Sequence, residues 1–129
     1  MAEKTMSSPT VIINNDVISV VPNSVSYKNG AGERKVKTAS AGGRSVEIIN
    51  TYDAGTLIGM LKFKLYTTKR NIDLLNDWVN RSIDANNTAT LNDGTFVTNF
   101  TEMCVVNDPE VATGVDGEIE VEFQGRGSI

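Results

Sequence analysis

The sequence predicts a mainly β domain, an antiparallel barrel or sandwich with one amphipathic helix packed on its side and a long extended arm. Three observations predict it. Short β-rich runs recur along most of the chain, punctuated by Asn, Asp, Gly and Pro. Only Thr68 to Asp84 carries helical spacing. A Gly/Ala/Ser-rich basic stretch, residues 28–45, interrupts the strands and reads as a long flexible arm or β-hairpin.

The elements follow in order. Met1 to Pro9 is small and polar, lacks the apolar stretch of a secretory signal, and reads as a flexible N-terminal arm; residues 10–129 read as one domain. Thr10–Ile13 and Val17–Val21 are β-rich runs joined by Asn14-Asn15-Asp16, residues that tolerate positive φ and so predict a hairpin turn. Pro22-Asn23 ends the second run, and Ser24–Tyr27 resumes as a short strand. The arm comes next, with Gly42-Gly43 at its far end, and Val46–Thr51 is the next strand. Thr56–Thr67 is the strongest strand: Leu57, Leu61, Phe63 and Leu65 alternate with Ile58, Met60, Lys62, Lys64 and Tyr66, which sends the two sets to opposite faces.

In the helix, Ile72, Leu75, Val79 and Ile83 recur at helical intervals and Leu74 and Trp78 widen the stripe, so Ile72, Leu75, Trp78, Val79 and Ile83 are the expected core face. Thr67 or Thr68 can cap its start, and Asp77 and Arg81 form an i,i+4 pair. Thr88–Leu91 and Thr95–Val106 flank Asn92-Asp93-Gly94, a hairpin signal. Glu118–Gln124 closes the fold, with Ile119, Val121 and Phe123 on one face and Glu118, Glu120 and Glu122 on the other.

The charge is split along the chain. Lys28, Arg34, Lys35, Lys37 and Arg44 face one acid, Glu33, within the arm, whereas Glu102 to Glu122 holds seven acids and no base. Opposite charges on separate ends of a fold would let copies attract head to tail, a heterologous contact that makes rings or open filaments. The net charge of -4 argues against a nucleic-acid binder. No window is apolar enough to insert in a membrane.

Catalytic equipment is sparse. With no His and one Cys, Ser-His and Cys-His pairs and the usual zinc sites are excluded. Cys104, in Met103-Cys104-Val105-Val106, reads as a buried, inert thiol. The row Glu118, Glu120, Glu122 reads as a solvated strand face rather than an acid/base pair, and Asp108, Glu110 and Asp116 match no EF-hand spacing. The expectation is no enzyme, no cofactor and no metal.

Four stretches together resemble the tail tube proteins of tailed bacteriophages, particularly those with contractile tails, and the related tubes of R-type bacteriocins and type VI secretion. They are Ile18-Ser19-Val20-Val21-Pro22-Asn23-Ser24-Val25-Ser26-Tyr27 before a Gly-containing arm, and Leu61-Lys62-Phe63-Lys64-Leu65-Tyr66-Thr67-Thr68 with Asn71 and Trp78. The others are Met103-Cys104-Val105-Val106-Asn107-Asp108-Pro109-Glu110 and Asp116-Gly117-Glu118-Ile119-Glu120-Val121-Glu122-Phe123-Gln124-Gly125. Met1 to Pro9 has no counterpart in that family.

The resemblance implies a structural virion subunit, assembled in the host cytoplasm. Six copies would form a ring, their inner sheets joining into one barrel, and rings would stack into a tube that conducts DNA without binding it. The partners implied are other copies of the chain, the tail sheath, the baseplate and the tail terminator. Glu118, Glu120 and Glu122 would face an acidic lumen, and Lys28, Arg34, Lys35, Lys37 and Arg44 would reach a neighbouring subunit or ring. The alternatives are a bacteriocin or secretion-system tube subunit, or a monomeric β-barrel module that binds carbohydrate or oligonucleotide.

Overall fold

A computed structural model describes residues 9–40, 42–43, 45–53 and 57–127. The expected N-terminal arm up to Ser8, Arg44 in the basic arm, and Thr56 at the start of the strongest predicted strand lie outside the described residues. The fold is mainly β, in antiparallel sheets with one helix.

The strands are β1 (Thr10–Ile13), β2 (Asp16–Ile18), β3 (Ser26–Asn29), β4 (Glu33–Ser40), β5 (Val46–Asp53), β6 (Gly59–Tyr66), β7 (Asn87–Asn92), β8 (Val97–Val105) and β9 (Glu118–Arg126). Helix α1 (Lys69–Arg81) runs into a 3-10 turn (Ser82–Asp84) before β7. Seven strands form one sheet in the order β2-β1-β7-β8-β9-β6-β3, and among the described residues β4 and β5 pair only with each other. The sheet does not close into a barrel. The chain between β2 and β3 crosses from one border to the other, with the Val21 N–H donating to the Lys64 carbonyl (2.9 Å). A groove of about 570 Å³ remains along this seam, lined among others by Val17, Val20, Val25 and Tyr27.

Local chemistry sets the turns. Asn14 and Asn15 both have positive φ (51° and 71°), as a two-residue hairpin needs. In the β7–β8 turn the Asp93 carboxylate accepts from the Thr95 and Phe96 N–H groups (3.0 and 2.7 Å), and Gly94 takes φ 91°. The Thr68 hydroxyl caps α1 by accepting from the Asn71 N–H (3.2 Å).

β6 and β9 carry the core. Their register sets Leu61 opposite Phe123, Phe63 opposite Val121 and Leu65 opposite Ile119, all fully buried. Trp78 closes over this face: its ring lies 6.0 Å from Phe63 and 5.5 Å from Phe123, both T-shaped, while Phe63 and Phe123 stack at 6.0 Å. Val11, Ile13, Ala89, Leu91, Phe100 and Met103 continue the same core.

The helix differs from its predicted face. Leu75 and Trp78 are buried and Ile72 is partly buried, as expected, but Val79 is 45% and Ile83 84% exposed. The buried stripe is Asn71, Leu75 and Trp78, continued by the half-buried Ser82, about one residue round from the aliphatic one. Polar groups on this face bind backbone. The Asn71 amide donates to the Tyr66 carbonyl (2.8 Å), the Ser82 hydroxyl donates to the Trp78 carbonyl (2.7 Å) and accepts from the Val105 N–H (2.8 Å). Ile83 lies in the 3-10 turn, where the 3.6-residue period no longer holds.

Asn87 joins four segments. Fully buried, it donates to the carbonyls of Trp78 (3.0 Å) and Met103 (3.1 Å), and its side-chain oxygen accepts from Asn14 (2.9 Å). It ties the helix end, the β8 strand and the β1–β2 turn to β7.

Two further expectations change. Val17–Val21 is a strand only to Ile18, because the rest crosses the seam. Val46–Thr51 is not a strand of the main sheet. It is the return leg of the arm, which is a hairpin from Glu33 to Asp53.

The Trp78 indole N–H has no hydrogen-bond partner among the described residues. Burying an unpaired donor costs about 1–3 kcal/mol, so the ring, not the N–H, stabilises the fold. Trp78→Ala is expected to lower unfolding free energy by about 3–5 kcal/mol, and Trp78→Phe by clearly less. Urea denaturation of both variants measures this, and equal losses would contradict it.

Candidate self-assembly interface

The alternation that buries one face of β6 and β9 exposes the other. On that outer face Lys62 lies opposite Glu122, Lys64 opposite Glu120 and Tyr66 opposite Glu118. β3 extends it, setting Ser26 beside Lys62 and Lys28 beside Met60. The three predicted lumen residues therefore share one face, turned away from α1. Lys28 also belongs to this sheet face rather than to the arm. The face is thus a mixed lattice, with Lys28, Lys62 and Lys64 among Glu118, Glu120 and Glu122.

The Lys62 ammonium bonds the Glu120 carboxylate at 2.9 Å, a diagonal pair across β6 and β9. Hydrogen bonding and charge attraction from Lys62 hold the Glu120 carboxyl below its ordinary value, and Glu120 in turn raises Lys62. Both side chains are about half exposed, so the pair sets geometry more than stability.

The charges are graded along the strand axis. Beyond Val105 the chain continues along β9 through Asn107, whose amide donates to the Glu120 carbonyl (2.8 Å) and whose side-chain oxygen accepts from the Glu122 N–H (3.0 Å). One side chain thus extends the ladder and sets Asp108 and Glu110 beside Lys64, Glu118 and Glu120 around a shallow concavity. The loop then turns back over the end of β6. The Thr67 hydroxyl donates to the Ala112 carbonyl (2.6 Å) and the Thr67 N–H to the Gly117 carbonyl (3.1 Å). A Cβ at Gly117 would collide with the Ala112 carbonyl, so this close return requires glycine.

The basic arm is at the other end. β3 finishes at Asn29 opposite Gly59, the first residue of β6, and the hairpin β4–β5 is inserted between them. Arg34, Lys35 and Lys37 all lie on β4. β6 is eight residues long, so about 26 Å of strand separates the hairpin root from the acidic loop. The sequence left open whether the two charge groups occupy opposite ends of the fold; the register of β3, β6 and β9 sets the hairpin root at one end and the acidic loop at the other, while Glu102 lies at the hairpin end beside Gly125.

The hairpin has two unlike faces. Its register groups Arg34, Val36, Thr38, Ser40, Val46, Ile48 and Asn50 on one side. Glu33, Lys35, Lys37, Ala39, Glu47, Ile49, Thr51 and Asp53 occupy the other.

Cys104 is half-buried rather than buried, with its thiol 3.5 Å from the Ser82 carbonyl. Among the described residues no group of three or more His, Cys, Asp or Glu side chains is placed to hold a metal, and no helix is long and apolar enough to cross a membrane. The bridging hydrogen bonds of Asn107 and Asn87 are not visible in the local sequence, where Asn87 reads only as part of the helix exit Asn86-Asn87. The one signal for Asn107 was its place just before Asp108-Pro109, where a strand must end.

No family model matches the chain, and comparison with curated proteins finds no significant match.

The Lys62–Glu120 pair has a defined pH window. A lowered Glu120 value gives stabilisation that is present above the ordinary 4.5 and is lost as pH falls through the folded value. A raised Lys62 value gives stabilisation that is present below 10.5 and is lost as pH rises through the folded value. Lys62→Met is expected to return the Glu120 titration, followed by carboxyl NMR, upward toward 4.5. An unmoved Glu120 would show that Lys62 is not the cause.

Proposed function

We propose that this chain is the structural subunit of a phage tail tube, or of a phage-derived tube, whose copies form rings that stack head to tail around a channel. The observation that carries this reading is the placement of the root of a hairpin whose β4 leg carries Arg34, Lys35 and Lys37, and of an acidic loop, at opposite ends of one sheet. A molecule so built attracts its own copy in one polarity only, and such heterologous contacts continue indefinitely or close into rings.

Two further features support it. The sheet is open, with borders at β2 and β3 that invite pairing between copies. Its polar face lies opposite the helix-covered one, so sheets joined side by side present Glu118, Glu120, Glu122 and their lysine neighbours to a shared channel. Six copies per ring, passage of DNA, and contact with sheath, baseplate and terminator are parts of the same proposal and rest on the sequence resemblance. A wall of alternating charges with excess acid near one end offers phosphate few contacts that release counterions, and DNA would slide past it.

Negative-stain microscopy of concentrated protein is expected to show rings or hollow rods. Dispersed small particles across protein and salt concentrations would instead favour a monomeric module. Lys35→Glu with Lys37→Glu is expected to abolish rods while leaving the thermal unfolding midpoint of the monomer unchanged. Rods at normal yield would remove the charge-directed stacking.

The channel face has its own test. Tubes carrying Glu118→Lys, Glu120→Lys and Glu122→Lys are expected to retain double-stranded DNA at low salt and release it as salt rises. Equal DNA retention by these and unaltered tubes would place the row away from the channel.

A further inference from the structure

The hairpin β4–β5 has a face that the described residues leave uncovered. Val36, Val46 and Ile48 share one side and are 65%, 63% and 69% exposed. Neither strand pairs with a third among the described residues, and a lone two-stranded hairpin is marginally stable in water. A row of three aliphatic side chains on such an element calls for a surface to cover it.

A groove of about 670 Å³ lies where the ends of β8 and β9 meet the turn after α1. Leu57, Ile58, Cys104 and Val106 give it an apolar floor, and Asp84 and Glu102 bring carboxylates to its lining. Arg126 partly balances Glu102 at 3.3 Å, whereas Asp84 has no salt-bridge partner among the described residues. Apolar lining with acidic groups complements a hairpin face that sets Arg34 beside Val36, Val46 and Ile48.

Position favours a second copy as the occupant. The groove reaches the end of the sheet from which the hairpin leaves, since Leu57 and Ile58 precede β6 and Gly125 faces Gly59. It lies on the β8 flank, while the hairpin departs from β3, at the opposite border of the four strands β8-β9-β6-β3. β7 pairs with β8 no further than Met103, so Cys104 and Val105 have only β9 as a strand neighbour. A copy set side by side, its β3 border toward this flank, brings its hairpin to the groove.

We propose that the Val36/Val46/Ile48 face of each hairpin docks in the groove of the lateral neighbour, clasping adjacent subunits of one ring. The opposite face, which carries Lys35 and Lys37 along β4 with Glu33, Glu47 and Asp53 around them, stays available to the next ring. One hairpin then couples ring closure to stacking. This inference rests on the tube reading and specifies which surface receives the arm.

The chain's single cysteine lies in the proposed acceptor, which permits a direct test. Full-length Ile48→Cys and Val46→Cys are assembled and oxidised mildly, with Lys37→Cys on the other hairpin face as the control. The expected result is a ladder of disulfide-linked oligomers from either of the first two variants, absent when Cys104→Ser is added. Its yield should be at least about tenfold above the Lys37→Cys control, because a disulfide forms only where Cα atoms approach within about 7 Å. Intact tubes without a Cys104-dependent ladder in either variant would overturn the groove and leave the tube reading standing. Dimers that persist with Cys104→Ser would show hairpin docking on hairpin, and an intramolecular disulfide would show docking on its own subunit; either overturns the proposal. Unaltered protein that never assembles would overturn both readings.

Discussion

The pairing of β6 with β9 is the constraint from which the rest of this molecule follows. Eight consecutive residue pairs, from Gly59 with Gly125 to Tyr66 with Glu118, run without a bulge. Because side chains alternate at every residue, this register sends Leu61, Phe63, Leu65, Ile119, Val121 and Phe123 to one side and Lys62, Lys64, Glu118, Glu120 and Glu122 to the other. A slip of one residue would bury the charges and expose the aromatic cluster. The buried side then selects what covers it. Trp78 lies over Phe63 and Phe123, and the helix can sit only where the indole fits between those rings.

Irregular positions elsewhere serve that register rather than relax it. The ladder between β8 and β9 shifts between Thr101 and Cys104, with Glu102 at φ 54°. Gly125 meets this bulge so closely that a Cβ would strike the Glu102 carbonyl. The bulge re-aims the end of β8, so that Met103 stays in the core while Cys104 and Val105 approach the turn after α1. Asn87 and Ser82 then satisfy the backbone groups that the bend leaves over. Buried amides and hydroxyls of this kind specify a single arrangement, since each would lose a partner in any other.

Much of this was legible in the chain. Strands whose faces alternate cleanly, such as β6 and β9, could be located to within a few residues, as could turns built on Asn14-Asn15 and Asp93-Gly94. The arm was legible as an interruption but not as a hairpin with its return leg at Val46–Asp53, because both legs are exposed and neither shows a buried face. The helix was legible in extent and misjudged in orientation. Counting aliphatic side chains placed Val79 and Ile83 inside, whereas Asn71 and Ser82 occupy that side because carbonyl and amide groups there need partners.

The sequence by itself determined the fold class, the sidedness of β6 and β9, and the separation of basic and acidic residues along the chain, because each is a property of neighbours a few residues apart. Only the tertiary structure decided that the hairpin root and the acidic loop stand at opposite ends of one sheet. It also selected the diagonal Lys62–Glu120 pair on the polar face and left an aliphatic hairpin face that no described residue covers, at the end where an apolar groove opens. Those outcomes depend on which strands pair and in what register, and strand pairing is settled by contacts between residues far apart in the chain, which no local pattern encodes.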